Sequence, residues 1–249
     1  MYNRKDTISK AIESVLNQTY KNIEYIVIDG ASTDGTPDII KKFSSHIDVF
    51  SSEPDDGIYD ALNKGIALST GDVIGFLHSD DQYANENVIS KIAEKFHDNS
   101  CDAVYGDLVY TDQEDLNKIH RYWKSNEFEP SLLKKGWMPA HPTLFLKKSV
   151  YDKFGKFNTN YEIAADYDFM LRILKSDIST CYIPEVLYKM RTGGVSNRSF
   201  KNVLQKSRED YKALKQNNVG GYGTLFLKNF SKLSQLLKKQ VDIGRIEGS

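Results

Sequence analysis

Two hydrophobic periods alternate along the first half of this chain, and each β-rich run ends in acidic or small polar residues. Tyr25-Ile26-Val27-Ile28 is a short apolar run that stops at Asp29-Gly30. Val73-Ile74-Gly75-Phe76-Leu77 is another, stopped by Ser79-Asp80-Asp81. Such runs read as buried strands. Around them the period changes to 3.6. Residues 8–16 place Ile8, Ala11, Ile12, Val15 and Leu16 on one helical face, with Asp6 or Thr7 as N-cap. Thr36-Pro37 opens a helix with the stripe Ile39, Ile40 and Phe43, and Asn85 caps one bearing Ile89, Ile92, Ala93 and Phe96. This alternation predicts an α/β fold with right-handed crossovers, a mostly parallel sheet and helices on both faces. In such sheets ligands bind outside the carboxyl ends of the strands, which here carry Asp29 and the Ser79–Asp81 cluster.

Beyond residue 102 the pattern loosens. Val104–Tyr110 and Ile119–Trp123 read as extended segments around a polar turn, Thr143–Leu146 as a strand, and Asp166–Leu174 as a helix. With 249 residues and no linker, residues 1–195 read as one domain, 196–241 as a helical extension, and 242–249 (ending GRIEGS) as a leftover of cloning outside the fold. No strand precedes the first helix. A doubly wound sheet usually starts with a central strand, so either this sheet starts unusually or native residues precede Met1.

Composition removes whole classes of function. The 40% hydrophobic content is too high for a disordered chain. A net charge of −1 leaves no basic field for nucleic acid. Cys101 and Cys181 stand far apart in no metal-ligand spacing, so neither a disulfide scaffold nor a zinc module is expected, and a reducing compartment is. No apolar run approaches the ~20 residues that cross a bilayer. The expectation is a soluble cytosolic protein, or one bound only at a membrane surface.

Three segments could carry chemistry. Adjacent Asp80 and Asp81 at a strand end raise each other's proton affinity unless a cation neutralises them, and Mg²⁺ or Mn²⁺ held by one or two carboxylates and substrate phosphates would do so. Asp is also the default turn residue, so a solvated turn is the other reading. The loop Asp29-Gly30-Ala31-Ser32-Thr33-Asp34-Gly35-Thr36 leads into a helix N-terminus, which suits an anion or nucleotide edge, or serves as a tight connection. Asp166 and Asp168 open a helix, where carboxylates are commonly caps. The Asp168–Arg172 pair, four residues apart, is expected to be structural. Asp166 acts as a general base only if it shares a cleft with Asp80. His78 and His141 read as core or surface residues before metal ligands.

Taken together, Tyr2-Asn3-Arg4, Asp29–Thr36, Asn63-Lys64-Gly65-Ile66, Thr70-Gly71-Asp72, Phe76–Asp81 and Ala165–Arg172 resemble, in order and spacing, the family 2 glycosyltransferases. These are metal-dependent, typically inverting enzymes of the GT-A fold. Asp56–Gly65 resembles the branch that builds bacterial surface polysaccharides. The resemblance implies a nucleotide-sugar donor, UDP-linked by expectation, and a glycan or lipid-linked acceptor. Residue by residue, it implies that Tyr2 packs on the nucleobase, Asp29 contacts the base, Asn63 belongs to the nucleotide-binding set, Asp80 ends the metal motif with help from Asp81, and Asp166 is the base. The sequence departs from the family pattern at Gly30, Leu62, His78 and Ala165. A non-catalytic nucleotide-sugar binder is the alternative. A nucleotidyltransferase would need a glycine-rich phosphate loop that is not found here.

Residues 222–239 place Leu225, Phe226, Phe230, Leu233, Leu236 and Leu237 on one stripe, with Lys228, Lys232, Lys238 and Lys239 largely outside it. Such a helix suits an anionic membrane surface, or packing on the domain or on a second subunit as a homodimer.

Overall fold

The computed structural model describes residues 1–98, 100–193 and 200–237. The expected α/β alternation is present. Helix α1 spans Ile8–Leu16, strand β1 Ile26–Asp29, helix α2 Thr36–Lys41, strand β2 Val49–Ser52 and helix α3 Ile58–Leu68. Strands β3 (Val73–Ile74) and β4 (Gln82–Tyr83) flank the Asp80 turn, and helix α4 covers Val88–Asp98. Strands β5 (Ala103–Thr111), β6 (Ile119–Trp123) and β7 (Phe145–Lys147), helices α5 (Lys148–Phe154) and α6 (Ala165–Leu174), and strand β8 (Thr180–Arg191) complete the body. Helices α7 (Phe200–Gln216) and α8 (Tyr222–Leu237) follow.

Strand direction departs from the expectation of a mostly parallel sheet. A six-stranded mixed sheet runs in the order β3-β7-β5-β8-β4, with β6 beside β5. Only β5–β8 is parallel within it; the other pairings are antiparallel. The parallel pair β1–β2 forms a separate small sheet. The βαβ rhythm of the first 77 residues governs connections there, whereas β5, β6 and β7 follow one another without an intervening α-helix and β8 arrives only after α5 and α6. The run Val73–Leu77 pairs only at Val73–Ile74, and the strand expected at Thr143–Leu146 begins at Phe145, after a 3₁₀ turn over His141–Thr143.

The predicted core faces are buried. Ile8, Ile12, Val27 and Ile40 form one cluster beneath α1, and Val88 and Ile92 of α4 pack with Val104 and Leu108 of β5 in another. The largest cluster surrounds α6, whose Phe169, Met170 and Ile173 are almost fully enclosed. Among the described residues β1 pairs only with β2 and β3 only with β7, so each presents an unpaired edge. A cavity of about 2390 Å³ borders both, with Ile26, Ile28, Val73 and Ile74 among its walls. At its end the Met1 ammonium donates to the Ile28 carbonyl at 2.9 Å, and Gly30 N–H donates to the Met1 carbonyl at 2.7 Å.

Two expectations are corrected. Cys101 and Cys181 form a disulfide: Cys101 lies just ahead of β5 and Cys181 in the neighbouring β8, so residues 80 apart in sequence meet where the chain enters the sheet. Lys228 does not lie on a solvated face of α8. It is 1% exposed, 2.7 Å from Asp210 of α7, with its ammonium over the Tyr167 ring. The Gly136 turn, at φ 73°, lets α8 approach this closely: a Cβ there would lie 2.9 Å from the Thr224 carbonyl oxygen. The predicted positions Lys232, Leu233, Leu236, Leu237, Lys238 and Lys239 have side chains outside the described set.

Candidate active site

The same cavity opens at the strand ends into a cleft lined by Tyr2, Asp55, His78, Asp80, His141 and Asp166. Residues 80 and 166, 86 positions apart, therefore share one opening, which is the condition set for Asp166 to do chemistry.

Asp80 lies in the turn after β3, where His78 carbonyl to Asp81 N–H closes the chain at 3.0 Å. Its carboxylate is about one-third exposed and lies 3.9 Å from the Arg4 guanidinium. Asp81 points the other way. It is 1% exposed, accepts from Arg191 N–H of β8, and is absent from the cleft wall. Burial, then the Asp80 charge, push its carboxyl well above the usual carboxylate range. Among the described residues no three His, Cys, Asp or Glu side chains group to hold a metal by themselves. The donor set here, one outward carboxylate, fits an ion completed by substrate phosphates rather than one caged by protein.

Asp29 is fully buried. It accepts from Ser32 N–H and Oγ and from Ser52 Oγ at 2.5–2.9 Å, so its carboxylate shapes the loop 29–36. That loop in turn grips the N-terminus: Ser32 Oγ accepts from Asn3 N–H, and Thr36 Oγ1 from Arg4 N–H, both at 2.8 Å. The effect is to hold Tyr2, 58% exposed, and Arg4 at the cleft mouth. A side chain at Gly30 would strike Asp55, which supplies the carboxylate at this end of the cleft. Asn63 lies outside the cleft wall; its amide brackets the Phe157 backbone at 2.9 and 3.0 Å, while neighbouring Leu62 lines the cleft.

Asp166 opens α6. Burial raises its carboxyl, but His141, Lys206, the Tyr167 N–H and Lys228 outweigh that and leave it below the ordinary value, hence ionised at neutral pH. Tyr59 of α3 reaches it at 3.2 Å. Glu209 of α7 accepts from Ile163 and Ala164 N–H at 2.9 Å and from Glu162 N–H at 3.2 Å, fixing the segment that leads into Asp166. Asp168 faces away and is buried between Arg172 at 3.0 Å and Asn217 at 2.8 Å, the structural role expected of it. The Tyr59, Asp55 and Glu209 contributions carry no sequence signal, since each depends on contacts across more than 20 residues.

The fold is that of the GT-A glycosyltransferases, and Asp80 and ionised Asp166 line one open cleft within it. The chain belongs to glycosyl transferase family 2, whose family model matches residues 1–155. It is 28% identical over 192 residues to a PGL/p-HBAD biosynthesis glycosyltransferase of Mycobacterium tuberculosis, covering 75% of this chain and 72% of that one. It is 30% identical over 218 residues to the Escherichia coli UDP-Glc:alpha-D-GlcNAc-diphosphoundecaprenol beta-1,3-glucosyltransferase WfaP, covering 83% and 81%. Among solved structures it resembles S. aureus TarS 1–349 in complex with UDP-GlcNAc (TM-score 0.67, 15% identity, 88% of this chain and 64% of that one). The chain spans 43% of the TarS chain in another TarS structure. It also resembles the mannosyltransferase PcManGT from Pyrobaculum calidifontis in complex with GDP-Man and Mn2+ (TM-score 0.65, 17% identity, 94% and 68%).

Proposed function

We propose that this chain transfers a hexose or N-acetylhexosamine from a UDP-sugar to a hydroxyl of a glycan or lipid-linked acceptor in surface-polysaccharide synthesis, with inversion at the anomeric carbon. The observation that carries this is the shared cleft of Asp80 and ionised Asp166. Asp166 takes the acceptor hydroxyl proton as the oxygen bonds to the anomeric carbon, and the bond from that carbon to the diphosphate oxygen breaks with its electron pair leaving on UDP. Asp80 would hold Mn²⁺ or Mg²⁺ jointly with the diphosphate, and the ion supplies charge neutralisation to the leaving group. Arg4, beside Asp80, adds a fixed cation on the same side. Tyr2 and Asp55 frame the end suited to the base. Acceptor attack from the Asp166 side, opposite the diphosphate, gives inversion.

The UDP and lipid-diphosphate assignments draw on WfaP and the UDP-GlcNAc complex of TarS. Asp166→Asn tests the reading. Transfer from a UDP-sugar should fall by about 10²–10⁴, with UDP binding in Mn²⁺ unchanged. Wild-type protein that binds a UDP-sugar yet neither transfers nor hydrolyses it supports the alternative, a non-catalytic binder.

A peripheral place on the inner membrane face accords with the outer side of α8, where Phe226 and Phe230 stack 67% and 59% exposed beside half-exposed Leu227. No helix among the described residues is long and apolar enough to cross a membrane. Co-sedimentation with anionic vesicles, lost in a Phe226→Ser, Phe230→Ser variant, is the expected result; no co-sedimentation of the wild type removes this placement.

A further inference from the structure

His141 lines the cleft, and its side-chain polar atoms are shielded from solvent and without partners. Neither ring nitrogen makes a hydrogen bond. Its ring stands edge-on to Phe157 at 5.6 Å, with Phe76 at 6.2 Å and His78 at 6.3 Å. A buried polar group left unpaired costs roughly 1–3 kcal/mol, so such groups are rare and call for an explanation. The position is rigidly built. The Thr143 hydroxyl bonds the carbonyls of Ala140 and Gly106 at 2.8 and 3.0 Å, and Leu144 N–H closes the turn on the His141 carbonyl at 3.0 Å. Pro142 stiffens it further. A fixed imidazole with idle nitrogens is what a binding site holds ready for its ligand.

The surroundings say which ligand. His78 connects this position to the Asp80 turn, and the Asp166 carboxylate is near enough to act on the ring. Burial lowers the imidazole's proton affinity, so at neutral pH it carries one N–H and one bare nitrogen. A diphosphate asks for cations and donors, and a nucleobase asks for the Tyr2 end of the cleft. A neutral donor–acceptor pair in the cleft that Asp80 and Asp166 share matches a hydroxyl, which both donates and accepts.

We infer that His141 is a specificity-determining residue that hydrogen-bonds a hydroxyl of the donor sugar ring. The inference rests on the nucleotide-sugar reading and adds the group that distinguishes UDP-sugar from UDP. A site built to bond a hydroxyl discriminates strongly against ligands without it, because its own polar atoms are then stranded.

The test is calorimetric titration of the full chain in Mn²⁺ with UDP, UDP-glucose, UDP-galactose, UDP-N-acetylglucosamine and UDP-N-acetylgalactosamine, in wild type, His141→Phe and His141→Gln. Wild type should bind at least one UDP-sugar more tightly than UDP. In His141→Phe that preference should fall about tenfold or more while the Kd for UDP stays within about twofold, and His141→Gln should retain part of it. Because His141→Phe removes two stranded nitrogens from an aromatic nest, its ligand-free Tm should equal or exceed that of wild type, which a packing role would not produce. An unchanged preference in His141→Phe, a parallel loss of UDP affinity, a fall in ligand-free Tm, or a wild type with no preference for any sugar overturns the inference. A wild type that binds no UDP fails differently: it removes the nucleotide-sugar reading itself.

Discussion

The Tyr59 hydroxyl lies 3.2 Å from Asp166 Oδ1 and 2.7 Å from the Ile163 carbonyl oxygen, so one phenol ties α3 to both the proposed base and the turn before it. Burial, then the Asp166 charge, keep this phenol protonated far above neutral pH. It therefore orients the carboxylate as a donor and takes no proton. Tyr59→Phe should lower kcat by about tenfold, equivalent to ~1.4 kcal/mol, with the donor KM within about twofold. Steady-state kinetics on a UDP-sugar substrate checks this; an unchanged kcat would remove Tyr59 from the machinery.

Asp166 and Asp168 are two residues apart and should behave oppositely on mutation. Asp168 is buried with Arg172 and Asn217, so Asp168→Ala leaves a guanidinium and an amide with backbone carbonyl partners alone and should cost about 1–3 kcal/mol of stability. Asp166→Asn should leave the denaturation midpoint within about 1 kcal/mol. Urea unfolding of the two variants separates the roles.

The lowered pKa of His141 sets a pH dependence. In the folded protein burial keeps the imidazole neutral below its ordinary value of 6.5, while the unfolded chain takes up a proton there. Stability from this group is present above pH 6.5 and is lost as pH falls through the folded value. Asp81 works against it, since its raised pKa favours the folded state in acid. Comparing wild type with His141→Phe cancels the Asp81 contribution. The advantage of the variant should grow between pH 7 and 5 by on the order of 1 kcal/mol, and parallel Tm curves would contradict the assignment.

The unpaired edges of β1 and β3 border one apolar cavity, and Met1 already makes both hydrogen bonds of a single parallel bridge to β1. Five or six Val- and Ile-rich residues added before Met1 should continue that pairing and join the two sheets. The expected gain is at least ~4 °C in Tm over a Gly-Ser extension of equal length, in line with ~1–2 kcal/mol for a protein of this size. Equal melting temperatures would argue against it.

Much of the frame was readable from periodicity alone: α1, β1, α6 and the placement of acidic residues at strand ends follow from local spacing. Strand direction after residue 102 did not, because antiparallel returns and crossovers leave the same short apolar runs. A role for Asp166 was legible only as a condition, that it share a cleft with Asp80, and both residues line one cavity. The positions of Asp29, Asn63 and Asp81 show the limit of motif reading. Each sits next in sequence to a cleft-lining residue, and the strand period at Asp29, the helix period at Asn63 and the turn at Asp81 aim its own side chain elsewhere. Lys228 misled for the opposite reason: a charge on a helix reads as solvated unless a partner such as Asp210 is known to face it.

The three N–H groups gathered by Glu209 give α7 a grip on the turn that aims Asp166. What reads in sequence as an appendage after residue 195 is thus a brace for the segment that carries Asp166. Cutting the chain at that apparent boundary, or tugging on the helices beyond it, would slacken that carboxylate while leaving the Tyr2 end of the cleft, which α7 does not hold, in place.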